Sequence, residues 1–265
     1  MDLLRKLTQA WRNAATAISF ATFGLFGLVL SLLVFPPSRL LVRNPQKRHA
    51  FAQRCIQASF ILFIKWMRLL RALDYRIENP GRLRDDDGCL ILANHPSLLD
   101  YVFIASLMPR CDCIVKKSLW NNFFIKNVIR AAGYIPNTND DPEQLLAACR
   151  EKLSQGGRLL IFPEGTRTTP GQPLQLQRGA ANIAVRSRAD IRLIHITCAP
   201  PILTRQQKWW QTAPTRPLFT IRVGEKLPIS NFTRDNTPPS LSARLLTEHL
   251  AHALRPASST HEPPH

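Results

Sequence analysis

Several patterns that would assign chemistry quickly are missing from this chain. Its six cysteines, at positions 55, 89, 111, 113, 149 and 198, are scattered, with no C-x-x-C pair and no cysteine–histidine cluster of zinc spacing. A structural metal is therefore not expected, and the thiols read as reduced packing groups. Cys111 and Cys113 alternate across an apolar run of strand type, which suits packing. No serine sits in a G-x-S-x-G elbow, so the sequence offers no hydrolase-type acyl-enzyme nucleophile. There is no helix-turn-helix, zinc-finger or RNP-like pattern and no internal repeat. Glycine is sparse at 11 residues against 21 prolines, and acids are outnumbered, 18 against 35 lysines and arginines.

What is present is a 265-residue chain, enough for one α/β core and an appendage, since domains usually run to ~100–200 residues. Hydrophobic residues at 45% exclude wholesale disorder. A formal charge of +17 calls for an anionic partner surface: nucleic acid, phospholipid headgroups or an acidic carrier. Lys208-Trp209-Trp210 could stack on bases, but without a nucleic-acid-binding motif it reads more simply as an interfacial anchor or the wall of an acyl tunnel. Nucleic acid is not an expected partner.

From Ala14 to Phe35 there is no charged residue, a length that can enter a bilayer. Pro36, Pro37 and Ser38 follow, with no small-residue cleavage site, so removal as a signal peptide is not expected. Basic residues flank the stretch on both sides, which suits a segment that dips into one leaflet and returns. A second helix is predicted over residues 51–73, with Arg54, Lys65 and Arg68 on one side and Phe60, Leu62, Phe63, Trp66, Met67 and Leu70 on the rest. Residues 1–80 hold twelve lysines or arginines and three acids, so positive charge concentrates where a membrane would lie. The expected organisation is an N-terminal anchor and amphipathic helix over 1–74, a catalytic domain over 75–255 and a disordered tail over 256–265.

Beyond Pro80-Gly81 the pattern becomes α/β. Strands are predicted at Tyr75–Glu78, Cys89–Ala93, Cys111–Val115, Arg158–Phe162, Ile191–Thr197 and Leu218–Val223. Helices are predicted at Leu98–Met108, Leu119–Ala131, Pro142–Ser154, Arg178–Arg188 and Leu241–Leu254, with Pro142 suited to a first turn. Two strands end in polar loops, and strand ends are where ligands bind in α/β sheets. The first runs into Asn94-His95-Pro96-Ser97-Leu98-Leu99-Asp100. A histidine there can turn toward the first helical turn, where Asp100 would accept from Nδ1–H and leave Nε2 as a base. With no serine nucleophile, the hydroxyl to be activated would be the substrate's own. The second strand ends in Pro163-Glu164-Gly165-Thr166-Arg167, a tight polar loop expected at the same edge.

Asn-His-Pro-Ser-Leu-Leu-Asp at 94–100 and Phe-Pro-Glu-Gly-Thr-Arg at 162–167 resemble the N-H-x-x-x-x-D and F-P-E-G-T-R blocks of the bacterial-type lysophosphatidate acyltransferase (1-acyl-sn-glycerol-3-phosphate acyltransferase) family, in the same order and at similar separation. The resemblance extends over roughly residues 75–205. It implies a mixed central sheet flanked by helices, preceded by an N-terminal two-helix membrane-associating motif. It implies His95 as base and Asp100 as its orienting partner, with Asn94, Glu164, Gly165, Thr166, Arg167 and Arg178 on the substrate side and no cofactor. The implied donor is acyl-carrier protein or acyl-CoA, and the implied acceptor a lyso-lipid, chiefly 1-acylglycerol-3-phosphate. The place would be the inner membrane with its anionic lipids, the catalytic domain facing the cytoplasm. One block departs: G-x-x-x-I-x-R appears as Gly133 to Asn139, with Asn139 in place of the arginine. A neutral amide lacks the charge-assisted grip on phosphate of a guanidinium. That leaves open a different acceptor, such as a lyso-ornithine lipid or a specialised polyketide-like lipid. A non-catalytic basic membrane- or nucleic-acid-binding protein is the alternative from another class.

Overall fold

The computed structural model of the chain describes residues 2–122, 125–137, 141–168, 172–233 and 237–255. The tail at 256–265 and Asn139 lie outside the described residues. A helix runs from Asp2 to Val29 (α1), continues through a π-helical turn at Leu30–Val34, and resumes at Phe35–Leu41 (α2). Pro36 and Pro37 fall in the first turn of α2, where a missing N–H is tolerated. Asn44 caps the next helix, α3 (Pro45–Leu69), by accepting from the Lys47 N–H.

Among the described residues seven strands follow: β1 (Asp74–Glu78), β2 (Leu90–Ala93), β3 (Asp112–Lys116), β4 (Ile135–Asn137), β5 (Leu159–Ile161), β6 (Ile191–Ala199) and β7 (Leu218–Leu227). Their order in the sheet is β1-β7-β6-β2-β5-β3-β4. From β6 to β4 all pairs are parallel, while β7 runs antiparallel to β6 and parallel to β1. The α-helices between them are α4 (Asp100–Ser106), α5 (Lys117–Trp120), α6 (Lys126–Ala132), α7 (Pro142–Ser154) and α8 (Gly179–Ser187), and α9 (Pro239–Ala253) follows β7.

Both faces of the sheet are covered, so the central strands are apolar without a break. In β2, Ile91 and Ala93 join a core shared with α3, α4 and α6, while Leu90 and Leu92 join a second core with α7, α8 and α9. At the far end of the sheet from the β2 exit, buried Asp86 accepts two bonds of 2.7 Å from Arg192, with Lys226 3.1 Å away.

The structure departs from the expected organisation at three points. A single helix over Leu119–Ala131 is replaced by α5 and α6, with Asn121 ending α5; asparagine competes with the helix for backbone hydrogen bonds. Strand β4 was not predicted because it is three residues long and contains Pro136. As the edge strand of the sheet it can carry a proline that an inner strand could not. At the N-terminus, one helix among the described residues, Lys6–Leu41, is long and apolar enough to cross a membrane. The second helix, α3, does not meet that measure and lays Ala52, Ile56, Phe60, Phe63 and Met67 into the first core.

Candidate active site

Strands β2 and β5 are adjacent and parallel, with Leu90, Ile91 and Leu92 paired to Leu159, Leu160 and Ile161. The loops leaving their C-terminal ends therefore emerge side by side, which brings residues 94–100 and 162–168 together at one sheet edge. His95 leaves β2 on the first loop, and Asp100 opens α4. His95 Nδ1 is 2.9 Å from Asp100 Oδ2, which also accepts the backbone N–H of Ser97 at 2.7 Å. Asp100 is fully buried, whereas the His95 side chain keeps 18% of its surface exposed. His95 Nε2 has no protein partner among the described residues, so it is free to meet a substrate.

The second loop holds the first. Glu164 Oε1 accepts the backbone N–H of His95 at 2.8 Å and the hydroxyl of Thr168 at 2.9 Å. Thr168 returns its own N–H to the His95 carbonyl at 2.7 Å. The loop turns at Gly165, where φ is +68°, a conformation that suits a residue without Cβ. The Phe162 ring stacks on the His95 imidazole, with centroids 4.1 Å apart and planes 17° apart. Arg167 sends Nη1 to the carbonyls of Leu203 (2.8 Å) and Thr204 (2.9 Å). The Leu98 N–H meets the same Leu203 carbonyl at 3.1 Å.

Burial pushes the Asp100 carboxyl up to about 6, and the hydrogen bond from His95 opposes that shift. The group is thus ionised at neutral pH, held by its two N–H donors in a low-dielectric place. An imidazole whose Nδ1–H is bonded to such a carboxylate has its tautomer fixed, and the imidazolium formed at Nε2 is stabilised. The geometry can therefore deprotonate a hydroxyl.

The other predicted residues fall in different places. Asn94 is buried with its amide turned away from the loop mouth; it bridges to β6, donating to the Ile196 carbonyl (2.8 Å) and accepting the Ile196 N–H (2.7 Å). Gly165 and Thr166 are exposed at the turn. Arg178 is exposed at the N-cap of α8, and among the described residues no contact joins it to His95, Asp100 or Arg167. Sequence reasoning missed Phe162, Ser97, Thr168 and Leu203. Ser97 and Phe162 lie inside the two blocks and could have been read from them. Thr168 and Leu203 carry no motif signal of their own.

A family model described as Acyltransferase matches residues 74–202. The chain is 32% identical over 178 residues to the 1-acyl-sn-glycerol-3-phosphate acyltransferase of Helicobacter pylori, covering 63% of this chain and 71% of that protein. It is 26% identical over 188 residues to the human 1-acyl-sn-glycerol-3-phosphate acyltransferase beta, covering 66% and 64%. The fold resembles the crystal structure of the 1-acyl-sn-glycerophosphate acyltransferase from Thermotoga maritima, with a TM-score of 0.70 over 94% of this chain and 100% of that one, at 18% identity. On this extent of similarity the chain belongs to the 1-acyl-sn-glycerol-3-phosphate acyltransferase family and is an acyltransferase of lipid metabolism.

Proposed function

We propose that the protein is a 1-acylglycerol-3-phosphate O-acyltransferase in which His95 is the general base. The observation that carries this reading is the 2.9 Å contact between His95 Nδ1 and a fully buried Asp100, with Nε2 open at the sheet edge. His95 Nε2 takes the proton of the acceptor hydroxyl as that oxygen attacks the thioester carbonyl of acyl-carrier protein or acyl-CoA. The new ester forms, the thiolate leaves, and the proton held on His95 goes to it; no acyl-enzyme is needed. Glu164 and Thr168 position the His95 backbone, and Asn94 ties the base of the loop to β6. Arg167 keeps its remaining guanidinium nitrogens for the acceptor phosphate, with Gly165 and Thr166 at the mouth and Arg178 on its rim. Strong positive charge suits both donors, since carrier proteins are acidic and coenzyme A is phosphorylated.

In this reading residues 1–74 are the anchor, attached through the apolar helix Lys6–Leu41, and residues 75–255 are the catalytic domain. The apolar stretch and its basic flanks support attachment to the inner membrane and its anionic lipids. Thioester donors support a catalytic domain on the cytoplasmic side.

A second acceptor class is favoured by one observation. Asn139 stands where the family block has arginine, and Arg167 Nη1 is already committed to two backbone carbonyls. An acceptor with less anionic charge, such as a lyso-ornithine lipid, would need less of that grip.

The test is acyl transfer by purified protein, wild type and His95→Ala, supplied with labelled acyl-carrier protein or acyl-CoA and a panel of lyso-lipids. His95-dependent labelling of lysophosphatidate is the expected result. Labelling confined to another acceptor would keep the mechanism and move the substrate, and an active His95→Ala would refute the base.

A further inference from the structure

The loop from Leu203 to Pro214 is pinned at both ends. At its start Arg167 and the Leu98 N–H hold the Leu203 and Thr204 carbonyls. At its end α1 takes over: Asn13 Oδ1 accepts the Thr212 N–H at 3.3 Å, and buried Arg12 donates to the carbonyls of Ala213 and Pro214. Between these points two glutamine side chains close the turns. Gln207 Oε1 accepts the Thr204 N–H (3.2 Å), and Gln211 Oε1 accepts the Lys208 N–H (2.9 Å).

A loop so thoroughly bonded nevertheless holds two large aromatic side chains outward. Trp209 is 47% exposed and Trp210 44% exposed, their rings edge-to-face at 5.4 Å. Trp209 also meets Phe20 of α1 edge-on at 6.0 Å. That contact joins the pair to the apolar helix, whose outward side chains include Leu25, Leu32 and Leu33. The other end of the patch is cationic: Lys208 Nζ lies 5.3 Å from the centre of the Trp210 ring, and Arg205, three residues earlier in the same loop, is exposed.

We propose that the loop from Leu203 to Pro214 is a membrane-interface docking site, with Trp209 and Trp210 seated at headgroup level and Lys208 and Arg205 on anionic phospholipid phosphates. The proposal rests on the membrane reading given above and deepens it. Tryptophan prefers a position half apolar and half wet, and a lysine stem lies along apolar surface while its ammonium stays in water. An exposed aromatic pair continuous with an apolar helix and edged by cations fits a bilayer surface carrying negative charge. The Arg167 bonds give the site a consequence for catalysis, because docking fixes the height of the His95 and Glu164 loops above the lipid.

The experiment uses the full-length protein and phosphatidylcholine vesicles with bromine-labelled acyl chains, with and without phosphatidylglycerol. Wild-type tryptophan emission should be quenched by the brominated lipid, and Trp209→Phe/Trp210→Phe, which keeps ring packing against Phe20, should lose much of that quenching. Trp209→Ala/Trp210→Ala should partition more weakly and turn over vesicle-borne acceptor more slowly while matching wild type on micellar acceptor. Lys208→Ala should lower partition to phosphatidylglycerol vesicles about fivefold and leave neutral vesicles unaffected. Equal quenching in wild type and the phenylalanine variant, or unchanged partition of Lys208→Ala on anionic vesicles, would overturn the proposal. Wild type that binds neither vesicle would instead overturn the membrane reading on which it rests.

Discussion

Asp100 turns one carboxylate oxygen to two donors, His95 Nδ1 at 2.9 Å and the Ser97 N–H at 2.7 Å, while its other oxygen is buried with no partner among the described residues. Such a half-satisfied buried charge costs stability, and the same burial strengthens its hold on a protonated His95. Function and stability therefore pull in opposite directions at this residue.

Asp100→Asn should separate them. The amide oxygen in the place of Oδ2 can still accept both the Ser97 N–H and the His95 Nδ1–H, but a neutral amide no longer stabilises the imidazolium formed on proton uptake. Activity should fall by ~10²–10⁴, while thermal unfolding at neutral pH should show a gain on the order of 1–3 kcal/mol. Because burial raises the folded carboxyl to about 6 from 3.8, the native state holds more protons than the unfolded chain between those values. The penalty in wild type is then complete above pH about 6 and absent below about 4, so the variant's stability gain should shrink on acidification. A variant advantage that grows on acidification would contradict this account.

In the proposed mechanism the same carboxyl sets the acid limb of catalysis. Below pH about 6 protonated Asp100 no longer stabilises an imidazolium, so kcat/KM of wild type should decline there. A pH–rate profile that stays flat to pH 5 would show that Asp100 does not need its charge.

Thr168 acts on His95 only through Glu164 and the backbone. Thr168→Val keeps the N–H bond to the His95 carbonyl and loses the hydroxyl bond to Glu164. A hydrogen bond to a charged group contributes ~1.5 kcal/mol, so kcat should drop about tenfold with KM little changed. Thr168→Ser should restore it. Equal loss in the serine variant would assign the effect to packing of the methyl group.

Asn94 joins two strand ends through both atoms of one buried amide. Asn94→Ala would leave the N–H and carbonyl of Ile196 without partners, at a cost of ~2–4 kcal/mol. Urea unfolding is the measurement; a midpoint unchanged from wild type would mean that water replaces the amide.

At the far end of the sheet, Arg192→Met should destabilise by about 3–5 kcal/mol, because it strands buried Asp86. Lys226 stays 3.1 Å from that carboxylate and places the loss toward the lower figure. Turnover per folded molecule should be unchanged, which thermal scans paired with activity assays would check.

The strands and the long helices were legible because their apolar periodicity is local. Cys89–Ala93 and Arg158–Phe162 read as buried strands, and Pro142 marked the start of α7, where Asp141 accepts from the N–H groups of Glu143 and Gln144. Strand β4 was not legible, since three residues with a proline look like loop until β3 supplies their partner. The split of Leu119–Ala131 into α5 and α6 was likewise hidden, because apolar residues at helical spacing continue on both sides of Asn121 and Asn122.

By itself the sequence determined which residues could carry the chemistry: a histidine and an aspartate five apart after one strand, and a glutamate and an arginine on a turn after another. It could do so because residue type and short spacing are local properties. Only the tertiary structure decided what each does. The parallel pairing of β2 with β5 makes Glu164 a clamp on the His95 backbone, the neighbouring strand β6 consumes the Asn94 amide, and the Leu203 carbonyl claims part of Arg167. Those partners lie 69, 102 and 36 residues away in the chain, and only the strand register brings them into contact.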